Sequence, residues 1–416
     1  MKIDSVLLAP GLGAFFYDDQ SAISKGALQD GECYVGKPLT PGFKAIRIPA
    51  ATLSIGLVLE NGFIAWGDMM SVQYAGAAGR DPVFDPKGHS NWIRRYLVPL
   101  LKGLSVNSFT SNADALCQRT FYDLPMHKGI QYGLTQALLR ATAYIQKRPM
   151  AGIICAEYGL PVVIKPVPIF GQSGDERYRN VDKAILKKIP ILPHGLINSK
   201  EKFGEAGETF IDYVRWVVQR VQSVGGSDYK PILHFDLYGM AGKAFDLSVA
   251  IIADYLFKVE SAAAPLQLRI ESPADFGSVK EQIAGLAQLR QQLHNRGSRL
   301  KIVADEWCNT LADIQMFISG KAADLIQIKM PDLGGIQNSI SAVNCCREAG
   351  VGAYLGGSCA ETDISARVAV HVAIATQADM QLAKPGMGLD EGIMTVTNEQ
   401  NRLLAELSAR KEKNID

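Results

Sequence analysis

Long apolar runs are missing from this chain. No stretch of 18 apolar residues occurs anywhere, which excludes a membrane-spanning helix on hydropathy. Net charge is nearly missing too: 43 Lys and Arg stand against 42 Asp and Glu, leaving +1. No overall field draws the chain to nucleic acid or an anionic membrane, so a small-molecule partner is expected. Paired cysteine spacings are absent. Cys33, Cys117, Cys155, Cys308, Cys345, Cys346 and Cys359 are odd in number and scattered, with no CxxC, which argues against zinc or a redox pair and for reduced, intracellular thiols. The opening MKIDSVLLAPGLG has an apolar stretch too short for a signal core, so the expectation is a soluble cytoplasmic protein. Gly11-Leu12-Gly13 begins like a dinucleotide fingerprint, but Phe16 stands at the third glycine position and no βαβ unit follows, which rules out NAD.

What is present is a set of short β-branched apolar runs, each ended by chemistry. LHFDLYG, LRIESP and KIVADEW place Asp236, Glu271 and Asp305 at their ends, 35 and 34 residues apart, and LIQIKMP carries Gln327 and Lys329. Helical periodicity fills the intervals, as from Glu281 to His294 with Ile283, Leu286 and Leu289 on one face. Strand and helix alternating at that spacing imply parallel pairing with one crossover helix per step. Closed into a (β/α) barrel, such strands send their carboxyl ends to one mouth, where the acids converge. Three carboxylates at close quarters raise one another's pKa unless a cation sits among them, and an all-oxygen donor set favours a hard ion, Mg²⁺ first. The plainer reading makes the acids helix N-caps, a good role for Asp and a poor one for Glu.

At 416 residues the chain exceeds a barrel of about 250 residues, so two domains are expected. The first 150 residues have a different pattern. LSIGLVLENGFIAWGD (53 to 68) reads as a hairpin turning at Glu60-Asn61-Gly62, followed by helices from Trp92 to Lys102 and from Gln131 to Lys147. This is an α+β capping unit over 1–160. An α/β barrel follows over 161–416 and opens with VVIKPVPIF as first strand, irregular at its end because of Pro166 and Pro168. A charged amphipathic helix from Asn398 is expected outside the barrel, fraying at KEKNID.

Gln327 and Lys329 share a strand face and can point to the mouth, although a strand lysine is more usually a solvated edge residue. Near a divalent cation its pKa is expected to fall, making it a neutral base. His194 in ILPHGL is read as a loop residue near the mouth, available for acid/base work. His234 shares a face with Asp236, and core packing or a supporting hydrogen bond suits it better than metal binding. Gly356-Gly357-Ser358-Cys359 follows an apolar run and offers backbone N–H groups and a hydroxyl to an anion. Cys359 lacks a Cys-His context and is read as a substrate contact, not a nucleophile.

The acid triad followed by a strand lysine resembles the enolase superfamily, which implies a modified (β/α)8 barrel with an N-terminal α+β capping domain. More narrowly, PGLGAFFYDDQ, SVQYAGAAGRDP, FGQSGDERYRNVDKAILKKIPILPHGLIN, KIVADEWCNT, IQIKMPDLGGIQN, GGSCAETDISAR and KPGMGLDEG resemble the methylaspartate ammonia-lyase family across nearly the whole chain. The resemblance implies elimination of ammonia from L-threo-3-methylaspartate to give mesaconate, with Mg²⁺ on Asp236, Glu271 and Asp305 and K⁺ as activating cation. It also implies a cytoplasmic homodimer with a place in glutamate degradation. Lys329 would take the C3 proton, and His194 would serve the other diastereomer from the opposite face. Gln172, Gln327, Ser358 and Cys359 would hold the carboxylates, Gln73 the amino group, and Phe170, Tyr354 and Leu382 the methyl group. Two departures are Ser358 and Met330, where the family commonly has Thr. Within the same fold a racemase, dipeptide epimerase or acid-sugar dehydratase would use the same metal, and a silent metal-binding scaffold is the reading from another class.

Overall fold

A computed structural model of the chain describes residues 1–121 and 124–413. The N-terminal capping domain is built on a three-stranded antiparallel sheet of β1 (Ile3–Asp18), β2 (Arg47–Leu59) and β3 (Ile64–Met69), in that order. The hairpin between β2 and β3 turns as its sequence predicts. Gly62 takes φ +85, a left-handed conformation that suits a residue without Cβ, and the Asn61 side chain accepts from the Phe63 N–H. Helix α1 (Lys128–Gln146), buried over most of its length, packs against β3, and α2 (Met150–Tyr158) follows it.

The helix expected over Trp92–Lys102 is interrupted. An α-helix through Trp92 gives way to a π segment over Ile93–Leu97 before a last α-turn at Val98–Leu101. Pro99 supplies the cause, because it has no N–H for the preceding turn.

A closed barrel follows, its strands ordered β6-β7-β8-β9-β10-β11-β4-β5, all pairs parallel. They are β4 (Ile169–Phe170), β5 (Ile191–His194), β6 (Ile232–Asp236), β7 (Leu268–Glu271), β8 (Lys301–Ala304), β9 (Leu325–Ile328), β10 (Gly352–Leu355) and β11 (Met380–Leu382). The first strand is much shorter than the run VVIKPVPIF suggests: only Ile169 and Phe170 pair, because Pro166 and Pro168 have no N–H for the ladder. Between β7 and β8 lies α3 (Val279–Asn295), a crossover helix of the predicted kind, N-capped by Ser278. The barrel is finished outside by α4 (Asp363–Thr376) and α5 (Asp390–Glu412). Helix α5 begins well before Asn398 and buries Ile393, Val396, Leu403 and Leu407; the expected fraying at its tail falls partly on 414–416, outside the described residues. No helix among the described residues is long and apolar enough to cross a membrane.

The capping sheet meets the mouth of the barrel. Ala14 N–H donates to Glu361 O at 3.0 Å, and a Cβ on Gly13 would come within 1.9 Å of Ala360 O, so the close approach requires glycine there. Of the glycine pair that looked like a nucleotide motif, Gly13 is an interdomain contact point within β1, and Gly11 faces Thr52 of the same sheet.

Candidate active site

Asp236 and Glu271 are the last residues of β6 and β7, and Asp305 directly follows β8. Neighbouring parallel strands ending level therefore bring the acids together. One oxygen from each lies within 4.8 Å of the others, and all three residues are buried. Burial pushes Glu271 well above the ordinary carboxylate range, and the negative Asp236 and Asp305 push it further. Asp236 is raised as well, first by burial and also by Asp305, with His194 pulling the other way. Hard oxygen donors crowded in a dry place, where neighbouring cations reach Asp305 but leave Glu271 and Asp236 raised, fit a hard divalent cation. His234 donates from Nε2 to Glu271 Oε2 at 2.7 Å, the supporting role read for it in the sequence.

Lys329 directly follows β9, its Nζ 2.9 Å from both oxygens of Asp305. Burial disfavours the ammonium most strongly, but the carboxylates of Asp305, Glu306 and Asp332 together outweigh it and hold the group above its ordinary pKa. The depression expected from the sequence belongs to a lysine beside a divalent cation, and Asp305 is the acid that the cation and the lysine would share.

His194 is the last residue of β5, not a loop residue: the parallel ladder uses its backbone in spite of the flanking Pro193 and Gly195, and it ends the strand with φ +71. Nε2 lies 3.6 Å from Asp236 Oδ2 and 3.4 Å from Tyr238 Oη, while Nδ1 is buried without a hydrogen-bond partner. In the eight-strand ring β5 and β9 stand four strands apart, so His194 and Lys329 face each other across the mouth.

Between them is a small cavity of about 50 Å³ lined by both, by Asp236 and Asp305, and by Gln73, Gln172, Gln327, Tyr354, Ser358, Cys359 and Leu382. Phe170 does not line it. That ring belongs to the barrel's interior cluster and stacks on His234 at 4.3 Å between ring centroids. Gln327 reaches the site, but its Nε2 donates to Glu271 at 2.6 Å, so the amide nitrogen expected to hold a substrate carboxylate is directed at the acid. A larger depression of about 780 Å³ lies at the opposite end, beside Gln267, Arg299 and Gly350, where the strands begin. Parallel barrels place their chemistry at the other end, where the acids are.

Ser358 and Cys359 meet the capping domain. Ser358 Oγ accepts from the Gln73 N–H at 2.9 Å, and the Cys359 thiol donates to Gln73 Oε1 at 3.2 Å. Burial pushes the Cys359 thiol far up, which keeps it a thiol and agrees with a contact role. A buried ion pair that the sequence reading missed braces this loop. Lys384 Nζ lies 2.9 Å from Glu361 Oε2, Tyr132 donates to Oε1 at 2.6 Å, and the Ser358 N–H donates to Oε2 at 2.8 Å. Lys384→Met is expected to cost about 3–5 kcal/mol, because it leaves a carboxylate buried and unpaired. Denaturant unfolding checks this; an unchanged midpoint would show the pair to be energetically idle.

Arg80 was also missed. It reaches from the capping domain to Asp332 (2.8 Å), Glu306 (3.1 Å) and Asp305 (3.9 Å), with its side chain 1 % exposed. The only sequence signals were the doubled acid Asp305-Glu306 and an arginine within SVQYAGAAGRDP. Tyr74 and Tyr238, which also line the cavity, had no signal at all.

Comparison with known families agrees with this geometry. The model for the methylaspartate ammonia-lyase N-terminus matches residues 1–159, and that for the C-terminus matches 161–409. The chain belongs to the methylaspartate ammonia-lyase family. It is 48 % identical over 415 residues to methylaspartate ammonia-lyase 2 of Carboxydothermus hydrogenoformans, covering 99 % of this chain and 100 % of that one. The methylaspartate ammonia-lyase of Citrobacter amalonaticus, solved with (2S,3S)-3-methylaspartic acid, superposes with TM-score 0.96 at 45 % identity, covering 98 % of this chain and 100 % of that one. The β-methylaspartase of Clostridium tetanomorphum, solved as a Mg complex, gives TM-score 0.93 at 45 % identity over 99 % and 100 % of the two chains. A muconate lactonizing enzyme from Pseudomonas fluorescens, at TM-score 0.64 and 15 % identity, shares the fold.

Proposed function

We propose that the chain eliminates ammonia from L-threo-3-methylaspartate to give mesaconate. The observation that carries this reading is the placement of Lys329 and His194 across one mouth, on either side of a buried triad of carboxylates. Membership of a family whose relatives are called methylaspartate ammonia-lyases supplies the substrate class. Asp236, Glu271 and Asp305 would hold Mg²⁺. A bound Mg²⁺ would neutralise the charge that builds on the substrate carboxylate as the C3 proton leaves.

The protein's own groups do the rest. Lys329, once freed from Asp305, takes the C3 proton, and the C–H electron pair passes into the adjacent carboxylate as an enediolate. Its return forms the C2–C3 double bond, the C2–N bond breaks, and ammonia leaves with its electron pair. The Ser358 hydroxyl, with Gln172, Gln327 and Cys359, would hold the carboxylates. Tyr354 and Leu382 border the methyl group, and Phe170 shapes that wall from behind. Serine for threonine at 358 keeps the hydroxyl, so altered affinity is expected and not loss of activity.

Division of the chain into a capping domain over 1–160 and a barrel over 161–416 is part of this reading; Gln73 from the first part and Lys329 from the second border one cavity. Activation by K⁺, a homodimer, a cytoplasmic location and a place in glutamate degradation are inferred from the family resemblance alone.

The test is incubation of the purified protein with 3-methylaspartate, Mg²⁺ and K⁺, following the absorbance of a conjugated diacid and free ammonia, with aspartate and dipeptides as controls. Absence of both products would end the proposal. His194→Ala is expected to remove most turnover of the erythro diastereomer, by about 10²-fold or more, with a smaller effect on threo. Equal losses for the two would count against opposed bases.

A further inference from the structure

The side chain of Gln73 is fixed by a residue that does not line the cavity. Oxygen and nitrogen of a carboxamide are nearly isosteric, and only their hydrogen-bond partners decide which of the two faces a ligand. Gln73 Nε2 donates to Asp18 Oδ2 at 2.8 Å. Asp18 is 1 % exposed and is gripped by Arg47 through both oxygens, Nε to Oδ1 at 2.7 Å and Nη2 to Oδ2 at 2.8 Å, so it is an anion that only accepts. Arg47 is held in turn by the rings of Phe15, Phe16 and Tyr34, with centroids 5.2, 4.9 and 5.1 Å from its guanidinium carbon. A flipped Gln73 amide would set its oxygen against the Asp18 carboxylate at hydrogen-bond distance, which is repulsive. The backbone is pinned as well: the Asp18 N–H donates to Gln73 O at 2.9 Å, and the Gln73 N–H donates to Ser358 Oγ at 2.9 Å. What remains for the cavity is Oε1, now touched by the Cys359 thiol.

We propose that Asp18, clamped by Arg47, is a positioning residue that locks the Gln73 amide with its oxygen toward the cavity, so that the site recognises the ammonium of its substrate through an acceptor. This rests on the proposed function, in which Gln73 meets the amino group. An ammonium has three N–H donors and no lone pair, so an amide nitrogen in that place would repel it. Asp18 also polarises the amide, making the oxygen a stronger acceptor. The selectivity for an amine-bearing diacid is therefore set in β1 and β2 of the capping sheet, behind the residue that touches the substrate.

The test compares two ligands on the full-length protein with Mg²⁺: 3-methylaspartate, and 2-methylsuccinate, the same diacid without the amino group. Asp18→Asn keeps the shape but offers Gln73 either face of an amide. It is expected to weaken 3-methylaspartate by about tenfold, the scale of one hydrogen bond to a charged group, and 2-methylsuccinate by less than about twofold. Gln73→Glu, which sets carboxylate against carboxylate, is expected to be impaired. Asp18→Asn added to it is expected to restore binding of the amine, because the amide introduced in β1 can then donate to the carboxylate introduced beside the cavity. Equal weakening of both ligands, or a double variant no better than Gln73→Glu, would overturn the proposal. Should Asp18→Asn not fold, Arg47→Lys, which gives up the two-pronged grip on Asp18 but keeps the charge, decides by the same two ligands: 3-methylaspartate is expected to weaken more than 2-methylsuccinate, and equal weakening would overturn the proposal. Failure of the wild type to turn over 3-methylaspartate would strike the proposed activity; the ligand ratio and the rescue are read by binding and answer separately.

Discussion

Lys329→Ala is expected to lower turnover of L-threo-3-methylaspartate by about 10²–10⁴-fold, the range a positioned general base contributes, while Mg²⁺ still binds. The amine stands within 2.9 Å of both Asp305 oxygens at the end of β9, its side chain 14 % exposed, bordering the cavity on the side opposite His194. Loss of a metal ligand and loss of the base would both abolish product, so product alone does not separate them. Two further measurements do. Exchange of the C3 hydrogen with deuterium from solvent should vanish, since that step needs only proton removal and return. Calorimetric affinity for Mg²⁺ should be equal or tighter, because the substitution releases Asp305 from its ion pair. Wild-type exchange by the variant would take Lys329 out of its role, and a collapse of Mg²⁺ affinity would make it part of the metal site's support.

The contrast between Lys329 and Arg80 explains how much of this site was legible. Asp236, Glu271, Asp305 and Lys329 could be read because each closes a short β-branched run, and parallel strands that end level turn sequence spacing into spatial neighbourhood. Topology also placed His194, although Pro193 and Gly195 suggested a loop; a parallel ladder needs only some of the backbone groups on that stretch. Arg80, Glu306 and Asp332 become a network only when the capping domain docks, 252 residues separating Arg80 from Asp332, and no local pattern reports such a meeting. Tyr132 joins Glu361 and Lys384 in the same way, while Asp18 meets Gln73 within the capping domain across 55 residues, a meeting that no local pattern reports either. Phe170 shows a limit of another kind. The resemblance placed it at the methyl group, but only coordinates tell a side chain that borders the cavity from one packed behind its wall. Secondary structure failed where a single proline reroutes hydrogen bonding, at Pro99 and along Pro166 and Pro168.

Glu271→Gln separates the cost of the acid triad from its use. Glu271 is fully buried between two other carboxylates, and both that burial and those charges work against its ionised form. A neutral side chain of the same shape removes the repulsion, so the metal-free variant is expected to be more stable than the wild type, by about 1–3 kcal/mol. Its amide keeps one oxygen for the Gln327 donor, and its nitrogen can give to His234 in the ring's other tautomer, whose Nδ1 has no partner now. With Mg²⁺ the order should reverse. Loss of one anionic ligand is expected to weaken Mg²⁺ by at least about 100-fold, the upper range for loss of a mere supporting partner of a ligand, so millimolar Mg²⁺ should raise the melting temperature of the wild type but not that of the variant. The crossing of the two melting temperatures as Mg²⁺ is added is the decisive readout. A variant less stable than the wild type without metal would show that Glu271 is held neutral or otherwise satisfied, and an unchanged response to Mg²⁺ would remove it from the coordination shell.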